Sequence, residues 1–150
     1  AGSYDQAMRE LGALQRASTG RRLADRAALL EAQVHRARGT PAQSIGIFRR
    51  VAQGSGVEAQ QALFVLGQTQ ATDLHDAQAA VTAWREYERR FEGGIFAREV
   101  IYRVGVSLLD ANRTADGVRE LRRFVDRYPE SPHAGAAREL IARHGPGAAP

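Results

Sequence analysis

The chain has 150 residues, no cysteine, and 21 basic residues that are all arginine, set against 17 acidic ones for a net charge of +4. Without cysteine there is no disulfide framework, thiolate nucleophile or zinc–cysteine site. Without lysine there is no Walker-A phosphate loop and no Schiff-base chemistry.

The length fits one domain, and 43% hydrophobic with 25% charged residues is the balance of a packed protein. No apolar run approaches the roughly 18 residues of a membrane-spanning helix. Ser3-Tyr4-Asp5-Gln6 has capping-box spacing and predicts a helix over 4–17. Gly20 separates it from a second helix over 22–38, which Gly39 ends. Thr40-Pro41-Ala42-Gln43 repeats the box with proline at the first helical position, and the pair 22–53 closes before Gly54. Ser55-Gly56-Val57-Glu58 is a third box and opens a helix over 57–72. The helix that follows completes a pair over 57–92, ended by Gly93-Gly94. A further pair spans 95–129, its first helix over 95–111. Ser131-Pro132 starts a last helix over 132–143, and 145–150 is a Gly/Pro/Ala tail expected to be disordered. No segment alternates with period two, so the chain is read as all-α.

The second helices superimpose. A small residue recurs at Ala7, Ser44, Ala80 and Gly117; a large apolar one at Leu11, Phe48, Trp84 and Leu121; another at Leu14, Val51, Tyr87 and Phe124. The steps are 37, 36 and 37 residues in all three columns. Small-then-large at i, i+4, i+7 is one helix face, on which the small residue admits a neighbouring backbone. The first helices carry Ala32, Leu66-Gly67 and Val104-Gly105 at matching places. A helix pair repeating at this period is the signature of a helical solenoid.

On these residues the chain resembles the tetratricopeptide repeat family. The marks are Leu66-Gly67, Ala80 and Trp84 in one unit, and Tyr102, Gly105, Gly117, Leu121 and Tyr128-Pro129 in the next. The ending, with Tyr128-Pro129-Glu130-Ser131 and Ala134, is similar to repeats of bacterial envelope proteins. The periplasmic coordinator of the Tol-Pal system and outer-membrane-assembly lipoproteins are examples. The resemblance implies a right-handed superhelix of antiparallel helix pairs over 1–144, with 132–143 as its capping helix. It implies a periplasmic or envelope location, the cytoplasm being the alternative. Residues 4–17 read as the second helix of an incomplete repeat. Either further repeats or a membrane anchor are expected upstream of Ala1, or a second copy covers this face.

No constellation points to catalysis, a metal or a cofactor. His35, His75, His133 and His144 lack ligand spacing and read as exposed polar residues. Ser107 has no glycine two residues on, so it is no nucleophile elbow. Glu86 and Glu88 lie among arginines and read as surface ion-pair partners. The arginine pairs Arg21-Arg22, Arg49-Arg50, Arg89-Arg90 and Arg122-Arg123 read as a solvated outer face, nucleic acid or anionic lipid being the alternative ligand.

The resemblance makes the first helices of each pair the lining of a concave groove. Counting from Ala32, Gly67 and Gly105, the residues facing it are Leu29, Gln33, Phe64, Gln68, Tyr102 and Val106, with Arg26, Arg36, Gln61 and Glu99 alongside. An apolar strip of Leu29, Phe64 and Tyr102 flanked by glutamines and two arginines suits a peptide with an acidic end. The expected function is a non-catalytic protein-interaction module that holds a segment of another protein. Self-association through the incomplete first repeat is the other candidate.

Overall fold

The computed structural model describes residues 2–17 and 20–145. Eight α-helices follow one another among the described residues: α1 Gly2–Ala17, α2 Arg21–Ala37, α3 Pro41–Ala52, α4 Val57–Gln68, α5 Ala77–Arg90, α6 Ala97–Asp110, α7 Thr114–Arg127 and α8 Ala134–His144. No strand occurs among these residues. Beyond Gly145, the tail predicted to be disordered lies outside the described residues.

Each helix packs on the next in sequence, from α1 on α2 through to α7 on α8, and α2 also meets α4. This is the contact pattern of a helical solenoid, in which a unit touches its neighbours and little else. The repeat columns explain it. Ser44, Ala80 and Gly117 are buried, as are Phe48, Trp84 and Leu121, and Val51, Tyr87 and Phe124. On α1 the same register behaves differently, because Ala7 and Leu11 are only half-buried. The side chain of Leu14 lies outside the described residues.

The small residues set how closely helices approach. A Cβ on Gly67 would run into the indole of Trp84. A Cβ on Gly105 would lie 2.7 Å from Cγ of Leu121, and one on Gly117 would lie 2.9 Å from the Gly105 carbonyl. Glycine at these crossings is therefore a packing requirement. Trp84 is held in place by its own ring nitrogen, which donates to the Phe64 carbonyl at 3.1 Å.

Several helix ends differ from the sequence reading. Thr40 precedes α3, but its hydroxyl turns back and donates to the His35 carbonyl at 3.0 Å, tying α3 to the end of α2. Gly56, not Ser55, sits at the cap position of α4. Ser3 falls inside α1, and its side chain lies outside the described residues. Among the described residues a side-chain cap forms at Asp76, whose Oδ1 accepts the Ala79 N–H at 2.9 Å. Gly39 ends α2 with φ +75°, as its glycine suggests.

The helix expected over 57–72 leaves α geometry at Gln68 and continues as a single wide turn, Thr69–Asp73, with the Leu74 N–H bonded to the Thr69 carbonyl. The helix expected from residue 95 starts at Ala97, and the two preceding amides bond to groups outside the helix. The Ile95 N–H donates to Gln60 Oε1 at 3.0 Å, and the Phe96 N–H to the Tyr87 hydroxyl at 2.8 Å. That hydroxyl itself donates to Gln60 Oε1 at 2.9 Å. Three elements are thus pinned at one turn.

Candidate functional site

Helices α2, α4, α6 and the start of α8 share one face, and side chains link each to the next. Arg22 on α2 meets Glu58 on α4 at 3.1 Å, and Arg36 meets Asp73 at 2.6 Å. The guanidinium of Arg103 on α6 lies over the Phe64 ring of α4, 5.7 Å from its centroid. His133, just before α8, meets Glu99 of α6 at 2.9 Å. The Tyr102 ring stacks on His133 at 4.5 Å, and Phe64 stacks on Phe96 at 4.4 Å.

The expected groove residues divide into four groups. Phe64 and Tyr102 are half-buried at the same register of successive repeats, each with one ring face against another ring. Gln33 and Arg26 are exposed, Gln61 and Gln68 half-buried, and among the described residues their side chains have no hydrogen-bond partner. Val106 is half-buried against the cluster formed by Ile101, Leu121 and Phe124.

The remaining three depart from the expectation. Leu29 is only 4% exposed and belongs to the core with Ala28, Ala32 and Phe48, so the apolar strip does not extend onto α2. Leu29 packs into this core, while Phe64 and Tyr102 at the same register stay half-buried. Arg36 is not a free guanidinium, since Asp73 occupies it. Its hydrogen bond holds the Asp73 carboxyl below the usual carboxylate range, against the opposing effect of burial. Glu99 is likewise engaged, accepting from Arg103 Nε at 2.8 Å and meeting His133.

The residues missed in the sequence are Phe96, Arg103 and His133. Arg103 was in reach, because Glu99 and Arg103 stand four apart on one helix. His133 is half-buried and ring-stacked, not simply exposed as expected. No local pattern announces a stacking partner 31 residues from Tyr102.

Electrostatically the face is mostly neutralised. Burial raises the Glu58 carboxyl, but its own backbone amide and the charges of Arg22 and Arg26 outweigh this and hold it low. Arg26 is exposed and makes no ion pair or hydrogen bond among the described residues, although its charge reaches Glu58. Burial, with a contribution from Glu99, raises the Tyr102 phenol.

The opposite face carries a closed ring of charge. Arg85 meets Glu88 and Glu120, each at 2.6 Å; Arg123 meets Glu88 at 2.8 Å and Glu120 at 2.9 Å. This ties α5 to α7, and it engages one member of the arginine pair Arg122-Arg123. Arg90 is also engaged, by Glu86 and the Gly54 carbonyl. Among the described residues no group of three or more His, Asp or Glu side chains could hold a metal ion, and no helix is long and apolar enough to cross a membrane.

Paired helices stacked in one direction, with glycine at the crossings and a side-chain-lined inner face, define a helical repeat solenoid. Residues 99–131 match the family model of a tetratricopeptide repeat, which supports that family for the chain. The match covers most of α6, all of α7 and the turn through Tyr128-Pro129. None of the curated proteins matches the chain. Tetratricopeptide repeats generally mediate protein–protein interaction and are typically non-catalytic.

Proposed function

We propose that the face of α2, α4 and α6 binds a segment of another protein, seated along Phe64 and Tyr102 and held by Gln33, Gln61, Gln68 and Arg26. The observation that carries this reading is the pairing of two half-buried rings with side-chain amides that have no partner among the described residues. Rings supply apolar anchors at low entropy cost, and amides supply donors and acceptors for a peptide backbone. One available guanidinium, Arg26, favours an acidic group near the α2 end of the segment. The ion pairs along the face keep the helices in register, so the surface is preformed and binding needs little movement. The resemblance of the C-terminal turn to envelope repeats supports a partner in a bacterial envelope complex.

The test places a photo-crosslinking residue at Gln33 or Gln68, and at Arg89 on the opposite face as a control, in cells making the native protein. A discrete crosslinked partner from positions 33 and 68, absent from position 89 and lost on Phe64→Ala, is expected. The same adducts from both faces, or none from positions 33 and 68, would refute the proposal.

A further inference from the structure

The face at α1 and the face at α7 and α8 match each other in register and in charge. At the α1 end, Leu23 and Leu30 of α2 are 47% and 48% exposed, and Tyr4 and Leu11 of α1 line an open hollow with Leu30 and Val34. Glu10 stands in the same hollow. Ala7 and Leu11 occupy the columns that elsewhere bury Gly117 and Leu121 against the first helix of their own pair. This face is built to receive a first-type helix.

At the other end, α8 is a first-type helix. Ala137 and Ile141 stand 37 residues beyond Val100 and Val104, which puts the exposed Ala142 at the register of Gly105. A small residue at that place is what the large residue of a second helix packs against: Trp84 on Gly67, and Leu121 on Gly105. Beside α8 a wide hollow is lined by Ala115, Val118 and Arg122 of α7 and by His144.

The charges decide between possible occupants. Inside the chain, α5 and α7 are joined by Arg85, five residues after the small residue Ala80, and Glu120, three after the small residue Gly117. Arg122 stands five after Gly117 and so repeats Arg85; it has no acidic partner among the described residues. Glu10 stands three after Ala7 and so repeats Glu120. The second helices α3 and α5 carry Ile47 and Ala83 at that place, so α1 and α7 alone among the second helices present a carboxylate there. The other arm of the internal ring, Glu88 with Arg123, becomes Val125 with Ala13, an apolar pair that strands no charge.

We infer that a second copy of the chain docks head to tail, α1 of one copy packing on α7 and α8 of the next, with Leu11 on Ala142 and Glu10 on Arg122. The contact is heterologous, so it leaves both outer ends open and allows further copies to add.

The experiment is sedimentation of the 150-residue chain over a concentration series, with Arg122→Glu and Glu10→Arg. Both positions are exposed and outside the core, and circular dichroism checks that the variants fold. Wild type is expected to associate with concentration beyond a dimer. Each single variant sets like charges face to face and should weaken association by about tenfold or more. An equimolar mixture of the two variants, and the double variant, should recover it, because every contact again joins opposite charges. Truncation after Gly145 should leave association in place. A wild type that stays monomeric to about millimolar concentration overturns the inference. So does a dimer that does not grow, or one indifferent to the swaps, which would mean a symmetric contact. Association that appears only after truncation would mean that the tail occupies the α7–α8 hollow, and overturns it as well.

Discussion

Gly67→Ala is the sharpest probe of how the repeats are packed. In an ordinary helix interior this change is favourable by about 1 kcal/mol, because alanine loses less backbone freedom than glycine. At position 67 the new methyl group would meet three atoms of the Trp84 indole. That ring is 1% exposed and tethered by its hydrogen bond to the Phe64 carbonyl, so it has nowhere to go. Overpacking of this kind costs about 1–3 kcal/mol. Displacing the ring forfeits a hydrogen bond of about 1 kcal/mol. The net expectation is destabilisation by about 2 kcal/mol, a fall in Tm of about 4–8 °C for a chain of this size. Gly46→Ala is the control. Gly46 lies within α3, where a Cβ would have nothing within 4 Å, so the same substitution should stabilise by up to about 1 kcal/mol. Urea unfolding followed by circular dichroism measures both, and emission from Trp84, the one tryptophan in the chain, reports on its surroundings directly. If Gly67→Ala unfolds within about 0.5 kcal/mol of wild type while Gly46→Ala is stabilised, the glycine–indole contact does not set the spacing of α4 and α5 and the packing argument fails.

Three further outcomes follow from the polar networks. Glu120→Gln removes the buried carboxylate shared by Arg85 and Arg123 and should lower stability by about 1–2 kcal/mol at neutral pH, less than for a fully buried pair because both guanidinium groups remain partly in solvent. Burial raises the Glu120 carboxyl, but the hydrogen bonds and charges of Arg85 and Arg123 outweigh it and hold the group below its ordinary 4.5. The stability it adds is therefore full above about pH 4.5 and is lost as the pH falls through the lower folded value. Urea midpoints at pH 6 and pH 3.5 should differ more for wild type than for Glu120→Gln, and equal differences would show that the ring does not contribute. Tyr87→Phe leaves the Phe96 N–H without its acceptor and should cost about 1–2 kcal/mol, with hydrogen exchange quickened first at residues 94–97. Asp76→Ala should cost about 1 kcal/mol through loss of the α5 cap, whereas Ser55→Ala, away from the cap position of α4, should change the unfolding midpoint little.

The sequence by itself determined the helices, their order and their faces. A helix face is written locally, so Ala80, Trp84 and Tyr87, or Gly117, Leu121 and Phe124, declare their burial through spacing alone. The helix ends were less legible, because capping depends on where a hydroxyl turns. Thr40 has the right residue type and spacing, yet its oxygen is spent on the carbonyl of His35. The inner face was legible as a set of positions and not as a surface. Leu29, Phe64 and Tyr102 share a register, but which of them reaches solvent depends on what packs across it. Arg36 and Glu99 read as available charges until the neighbouring repeat brought Asp73 and His133 within ion-pair distance. Those partners stand 34 or more residues away in the chain, a separation at which periodicity says which face a residue occupies but nothing about what meets it there. The absence of lysine removed whole classes of chemistry at the outset. Which of the arginines are neutralised, and which, like Arg122, lack an acidic partner among the described residues, was decided only when the repeats stacked.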